Sequence, residues 1–396
     1  MKKKIFVFLG FFVVSSILWG LPAQAERSDM IMVDVPDKGP RQFFGEIREE
    51  TYEGLKFYFK SQDKERIVPI ARVLQVDHRP KPQQYSVGSS KLQNRNFREA
   101  YDTLLEAYKT EKGEETEWVG PYSLYYAGEA AFKEAKYSQA TSKGKSAWYK
   151  KAEQQYEKLI DENPKHRFAA KAQLGRAQAL MRLDNFTEAK IILDEIKDKK
   201  KKYPRDIKNA AEVWAARLKV EEAAAMKAAG KESRAERTFG SVIDELTRLY
   251  DTYKNAAKKE DSIEREQEKM ELAYLALISK GYAEQGLENF RKAEELFLEV
   301  GIRSPNEEMR AEAINSRGQS LMNRGDTREA LFSFLRVHVL HNNIANEHQR
   351  ALFYATKMAK DYYEGETQTR WRELLQQLKM RYPGSYWEQR ARKEFP

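Results

Sequence analysis

Histidine and cysteine carry much of protein chemistry, and this chain has five histidines and no cysteine. His338 and His341 stand three apart, with Glu347 and His348 shortly after. Two imidazoles at that spacing share one helical face, and a nearby segment could complete a zinc site. His341-Asn342-Asn343 reads instead as a fraying helix end, where an imidazole meets the negative pole of the helix dipole. No metal site is therefore expected. The lack of cysteine excludes disulfides, thiolate metal sites and a cysteine nucleophile.

Gly144-Lys145-Ser146 has the ending of a phosphate-binding loop, but position 139, where that motif needs glycine, is Gln139. The motif also needs a preceding strand, and this tripeptide is expected in a solvated insertion between two helices. Neither His-Glu-x-x-His nor Gly-x-Ser-x-Gly occurs, so no zinc-protease helix or nucleophile elbow is present. Carboxylates are abundant but scattered over positions expected to face solvent. The chain is read as a non-enzyme without a cofactor. The densest basic run is "KDKKKKYPR", Lys197 to Arg205. It is expected in an exposed loop before Pro204, with Lys199, Lys200, Lys201 and Lys202 as candidate contacts to an anionic lipid or polymer.

These residues must be positioned by a chain of 396 residues whose first segment differs from the rest. Lys2-Lys3-Lys4, the apolar run Ile5 to Leu21 and Ala23-Gln24-Ala25 form a secretory signal. Residues 1–25 are read as that signal, cleaved after Ala25, with an uncleaved inner-membrane anchor as the alternative. The expected location is then the periplasm. Removing those three lysines takes the net charge from +9 to +6. That mild excess suits anionic envelope components and does not point to nucleic acid.

Residues 26–80 are rich in β-forming runs: Ile31–Val33, Phe43–Ile47, Leu55–Phe59, Arg66–Ile70 and Leu74–Val76. Gly54 and Ser61–Lys64 punctuate them as turns. They predict a small curled sheet or SH3-like barrel. Arg79-Pro80-Lys81-Pro82 follows as a stiff linker.

From residue 83 the period becomes helical, and one spacing recurs. In "GYAEQGLENFRKAEELFLEV", residues 281–300, Gly281 precedes Ala293 by twelve residues, followed by Phe297 and Val300. The same ruler fits Gly88, Ala100, Leu104 and Ala107, then Gly128, Ala152, Tyr156 and Leu159 across an insertion. It fits Ala177, Ala189, Leu193 and Ile196, and Ala223, Ala235, Phe239 and Val242. Gly318, Ala330, Phe334 and Val337, and finally Ala359, Trp371, Leu375 and Leu378, bring the copies to seven. Small residues at this spacing mark where paired helices cross closely, and the bulky residues one and two turns on fill the groove against the next pair.

Over residues 83–396 this pattern resembles the tetratricopeptide repeat family, a helix–turn–helix unit of about 34 residues. "NPKHRFAAKAQLGRAQAL" and "YPGSYWEQRARKEF" look like the degenerate repeats of envelope proteins in that family. The fold class expected is mainly α: a solenoid of about seven helical hairpins over residues 81–396, preceded by the small β-barrel-like domain. The second small-residue positions lie 52, 37, 46, 58, 37 and 41 residues apart, so uneven helix lengths and insertions are expected.

The resemblance implies a concave face built from the first helices of the repeats, holding a partner protein. Counting from the small residues, that face carries Tyr122, Tyr125, Glu129, Lys171, Gln178, Arg182, Arg217, Asn315, Gln319, Asn323, Lys360 and Tyr363. In the repeat centred on Gly281 it lies near Ile278, Tyr282 and Gln285. Tyr125 and Glu129 stand where the family's carboxylate-clamp subtype needs other residues, so that subtype is not expected. Two readings follow. The leading one is a non-catalytic envelope scaffold that binds a protein partner. The other is a module that binds peptidoglycan or another envelope polymer, with Phe43, Phe44, Tyr52 and Tyr58 of the β segment stacking on sugars. The same aromatic alternation would also suit a barrel core.

Overall fold

A computed structural model describes residues 28–35, 38–110, 113, 116–137, 142–198, 200–260, 262–362 and 369–395. The expected signal lies outside the described residues, as do Lys199 and Tyr363. The chain divides into two compact units, residues 1–49 with 55–80 and residues 50–54 with 81–396.

The first unit is a five-stranded sheet of β1 (Asp29–Val35), β2 (Gly39–Glu50), β3 (Gly54–Phe59), β4 (Lys64–Pro69) and β5 (Val73–Asp77). Their order is β4-β3-β2-β1-β5. β1 pairs antiparallel with both β2 and β5, placing Ile31 opposite Phe43 and Val76. Alternation sends Ile31 and Val33 of β1, and Leu55, Phe57 and Phe59 of β3, into one core that Val68 completes. Asp29 anchors the start of β1: its carboxylate accepts from the backbone N–H groups of Ile47 and Arg79, each at 2.8 Å.

The second unit holds fifteen helices among the described residues, and its fold is a series of seven hairpins. These are α1 (Gln83–Gln93) with α2 (Phe97–Thr110), α3 (Val119–Tyr137) with α4 (Ser142–Glu162), and α5 (Ala169–Arg182) with α6 (Phe186–Lys197). Then come α7 (Arg205–Ala228) with α8 (Glu232–Ala257), α9 (Ile263–Gly286) with α10 (Phe290–Arg303), and α11 (Glu307–Arg324) with α12 (Thr327–Leu340). The last is α13 (Ala345–Tyr362) with α14 (Arg370–Arg381), followed by a single helix, α15 (Tyr386–Glu394). Each copy of the ruler falls on one hairpin. Asn185, Asn306 and Ser385 start their helices by accepting from the backbone N–H three residues on.

The small residues sit where the sequence predicts, though the aromatic residues have a closer partner than the neighbouring repeat. A methyl group on Gly281 would lie 2.6 Å from Phe297 Cε1, and one on Gly318 would lie 2.7 Å from Phe334 Cε1. Each ring therefore lies flush on the first helix of its own hairpin. Tyr156 touches both Gly128 of its own hairpin and Gly175 of the next, and Phe239 reaches forward to Gly286. Filling between repeats is thus real for these two rings, in addition to closure within the hairpin.

The ruler also sets the turn. Seven residues after the first small residue stand Arg95, Asp184, Gly230, Glu288 and Gly325, and all five have φ between +58° and +87°. In these five hairpins the turn takes a left-handed residue there, whichever side chain occupies it.

Gly144-Lys145-Ser146 departs from expectation. It is not a loop: α4 begins at Ser142, and the tripeptide forms its first turn. Lys145 Nζ donates to Asn346 Oδ1 of α13 at 3.0 Å.

Candidate partner-binding surface on the inner face

Successive first helices touch one another: α1 with α3, α3 with α5, α5 with α7, α7 with α9, α9 with α11 and α11 with α13. This puts them on the inside of the curve. The curve returns on itself. α3 touches α13, Tyr137 Oη donates to Glu308 at 2.9 Å, and Lys136 Nζ lies 2.7 Å from the same carboxylate.

A chain of polar side chains runs across this inner face. Arg182 of α5 and Arg217 of α7 both donate to Glu221, at 3.3 and 3.0 Å. Arg217 also donates to Glu312 of α11 at 2.9 Å, and Tyr282 of α9 donates to that same oxygen at 2.9 Å. The Tyr282 hydroxyl lies 2.8 Å from Ser316, and Gln285 donates to Ser320 at 3.1 Å. Arg350 of α13 donates to Gln319 at 2.6 Å and pairs with Glu347 at 3.5 Å. Asn315 then donates to both the side chain and the backbone carbonyl of Glu347, each at 2.8 Å. Five first helices contribute to one continuous network.

Two of its carboxylates are held differently. Burial by itself would push the Glu312 carboxyl up, but Arg217, the Tyr282 hydroxyl and Arg182 outweigh it and hold the group at about 2. Glu347 is pushed up: burial dominates, and Glu312 adds to it against the opposing pull of Arg350. Glu312 is therefore the firmly anionic member.

Of the predicted groove residues, Arg182, Arg217, Asn315 and Gln319 enter this network. Arg217 and Asn315 are buried, whereas the Arg182 side chain keeps 36% of its exposure. Lys171 and Asn323 are exposed and Gln178 is half-buried. Tyr122, Tyr125 and Glu129 are placed elsewhere, in an aromatic cluster around Phe168. Tyr125 stacks on that ring with centroids 4.3 Å apart, and Tyr122 meets it edge-on at 4.8 Å. The Tyr122 hydroxyl donates to Glu50, which also lies 3.4 Å from Arg167. Glu129 accepts from Tyr156 at 2.7 Å. Lys360 lies over the rings of Trp371 and Phe395.

Glu221, Glu312, Ser316 and Arg350 were not among the residues expected on this face. One signal was available: counted back six residues from the first small residue, the fourth and sixth repeats carry Arg217 and Glu312. Opposite charges at equivalent inner positions of nearby repeats are candidates for a bridge.

The other sequence candidates are also placed. His338 Nδ1 and His348 Nε2 are 2.7 Å apart, and His348 Nδ1 is 2.6 Å from the Tyr382 hydroxyl. Both nitrogens of His348 are thereby engaged, and burial with nearby His338 and Arg381 holds this imidazole down at about 3. His341 follows the end of α12 and lies 3.4 Å from Glu307. No group of three or more ligating side chains is poised for a metal among the described residues. In the basic run, Lys201 pairs with Glu195 at 3.0 Å and Lys202 with Glu53 at 3.4 Å. In the sheet, Phe43 packs edge-on against Phe59, the Tyr58 hydroxyl is bonded to Asp63, and Phe44 is exposed. Tyr52 packs against Tyr203 in the helical unit.

The chain is a helical-hairpin repeat protein. No protein-family model matches it, and no curated protein matches it by sequence. Among solved structures it is similar to the apo form of RapI, at 9% identity and TM-score 0.38 over 75% of each chain. It is similar to a tetratricopeptide repeat protein from Parabacteroides merdae ATCC 43184, at 16% identity and TM-score 0.32, over 68% of this chain and 100% of that one. It is also similar to a human IFIT1 dimer with PPP-AAAA, at 14% identity and TM-score 0.27, covering 78% of this chain and 81% of that one.

Proposed function

We propose that this chain is an exported, non-catalytic scaffold that binds a partner protein along the inner face of its helical hairpins. The observation that carries this reading is the polar network spanning five first helices. A buried ion pair is seldom more stabilising than apolar packing of the same volume. A face kept polar across five repeats, with Arg182 still accessible, therefore suits recognition. Its arginines and tyrosine are side-chain types that anchor protein interfaces. Export to the periplasm is supported by Lys2-Lys3-Lys4, the apolar run Ile5 to Leu21 and Ala23-Gln24-Ala25.

The test combines Arg182→Ala, Gln319→Ala and Asn323→Ala, which cut accessible or half-buried side chains without stranding a fully buried charge. Partners co-purified from envelope extracts are compared by quantitative mass spectrometry. Loss of a discrete partner, with an unchanged circular dichroism spectrum, is expected. Full retention of every partner would refute the reading.

A further inference from the structure

The outer helices carry a feature that the inner-face reading does not use. Nine residues beyond Ala100, Ala152, Ala189 and Ala235 stand Lys109, Asp161, Asp198 and Asp244, all exposed. At the same place beyond Ala293, Ala330 and Trp371 stand Ile302, Val339 and Met380. These are equally open to solvent, at 58%, 66% and 72% exposure. One register position is thus charged in the first four hairpins and apolar in the last three. Ile302, Val339 and Met380 lie near the C-terminal ends of α10, α12 and α14, so equivalence places them along one side of the array. Ile302 and Arg336 line a common cleft between α10 and α12. Leu340, 56% exposed, extends the apolar row.

The surroundings are basic. Arg303, Arg336 and Arg381 are exposed and Lys379 is half-buried on the same helix ends. Two neighbouring acids are engaged: Glu299 accepts from Tyr250 at 2.6 Å and lies 3.9 Å from Lys254 and 4.0 Å from Arg303, and Glu307 lies 3.4 Å from His341. The row stands proud of the surface at Ile302, where the cleft beside it has a volume of only about 10 Å³. A folded partner would have to bring a matching groove, and a second copy of this chain would present another ridge. A fluid surface has no fixed shape to match.

We propose that this ridge docks the last three hairpins onto an anionic lipid surface. Ile302, Val339 and Met380 enter the boundary between headgroups and acyl chains, and the arginines and Lys379 meet lipid phosphates. No described helix is long and apolar enough to cross a membrane, so the contact is peripheral.

The chain's lack of cysteine makes a local test direct. Val339→Cys and Met380→Cys, each labelled with a polarity-sensitive fluorophore, are titrated with phosphatidylglycerol vesicles and with phosphatidylcholine vesicles. Asp198→Cys and Asp244→Cys report the equivalent position in earlier hairpins. A blue shift is expected at 339 and 380 with phosphatidylglycerol only, and none at 198 or 244. Adding Ile302→Ser and Met380→Ser to labelled Val339→Cys should weaken the titration about tenfold. The proposal is overturned by no shift at 339 and 380, or by equal shifts at all four positions. It is equally overturned by a shift that grows with protein concentration without lipid, which would make the ridge a contact between copies. The probe reads the ridge itself, so failure of this test is distinct from failure of inner-face partner binding.

Discussion

The seams between helices and the inner face are made by the same first helices, yet they obey opposite rules. At the seam, a glycine of α9 receives Phe297 from sixteen residues further along the chain. On the inner face, Arg217 reaches Glu312 across 95 residues of sequence. The seam is apolar, buried and local. The network is polar, partly accessible and distant in sequence. Stability should therefore reside mainly in the seam, and specificity in the network.

The sharpest way to break that contrast is to empty a seam. Phe297 is fully buried, and Phe297→Ala should cost about 3–5 kcal/mol of stability in urea unfolding. A loss below about 1 kcal/mol would mean that the seam does not carry the fold. The next largest effect belongs to the network. Arg217→Met removes the arginine bonded to Glu312 and leaves Glu221 with Arg182 alone, and it should cost about 3 kcal/mol. Adding Glu312→Met should restore much of that loss, because the double variant no longer buries an uncompensated charge.

The two inner carboxylates sharpen the comparison through pH. Glu312 is depressed in the folded state, so its contribution is present at neutral pH. It fades as pH falls from about the ordinary carboxylate value toward 2. Glu347 is raised, so its favourable contribution is present at low pH and is lost as pH rises through its folded value. Urea unfolding at a series of pH values should therefore show Glu312→Gln most harmful at neutral pH, and Glu347→Gln tolerated best there. Identical pH profiles for the two variants would contradict this assignment.

The smallest effect has the opposite sign. Gln349 is fully buried, and among the described residues its amide nitrogen and oxygen both lack a hydrogen-bond partner. Gln349→Met should raise stability by about 1 kcal/mol in thermal or urea unfolding. A loss would show that the amide has a role beyond filling space.

These differences explain what the sequence disclosed. The hairpins were legible because Gly281 and Phe297 interact within one unit, and seven repetitions of a local rule stand out. The β runs around Ile31, Phe57 and Val76 were legible through alternation and turn residues. The start of α4 was not, because Gly144 weakens the helical pattern and the contact from Lys145 to Asn346 spans 201 residues. Arg182, Arg217, Asn315 and Gln319 were found by counting from the small residues. Tyr122 and Tyr125 lie on the same helical type, but Phe168 and Glu50 enclose them, and counting along one helix does not reveal what a distant segment covers. Glu221 and Arg350 pair within their own helices, with Arg217 and Glu347, but only the stacking of the first helices brings Arg217 and Tyr282 to Glu312 and so joins them in one network.

The most direct test of the inner face as the recognition surface is site-specific photocrosslinking in cells. A photoreactive residue is placed at Gln178 or Gln319 on the inner face, or at Glu295 on an outer helix. Discrete adducts with the same partner from Gln178 and Gln319, and none from Glu295, are the expected result. Adducts only from Glu295, or none from either inner position, would contradict the assignment of recognition to this face.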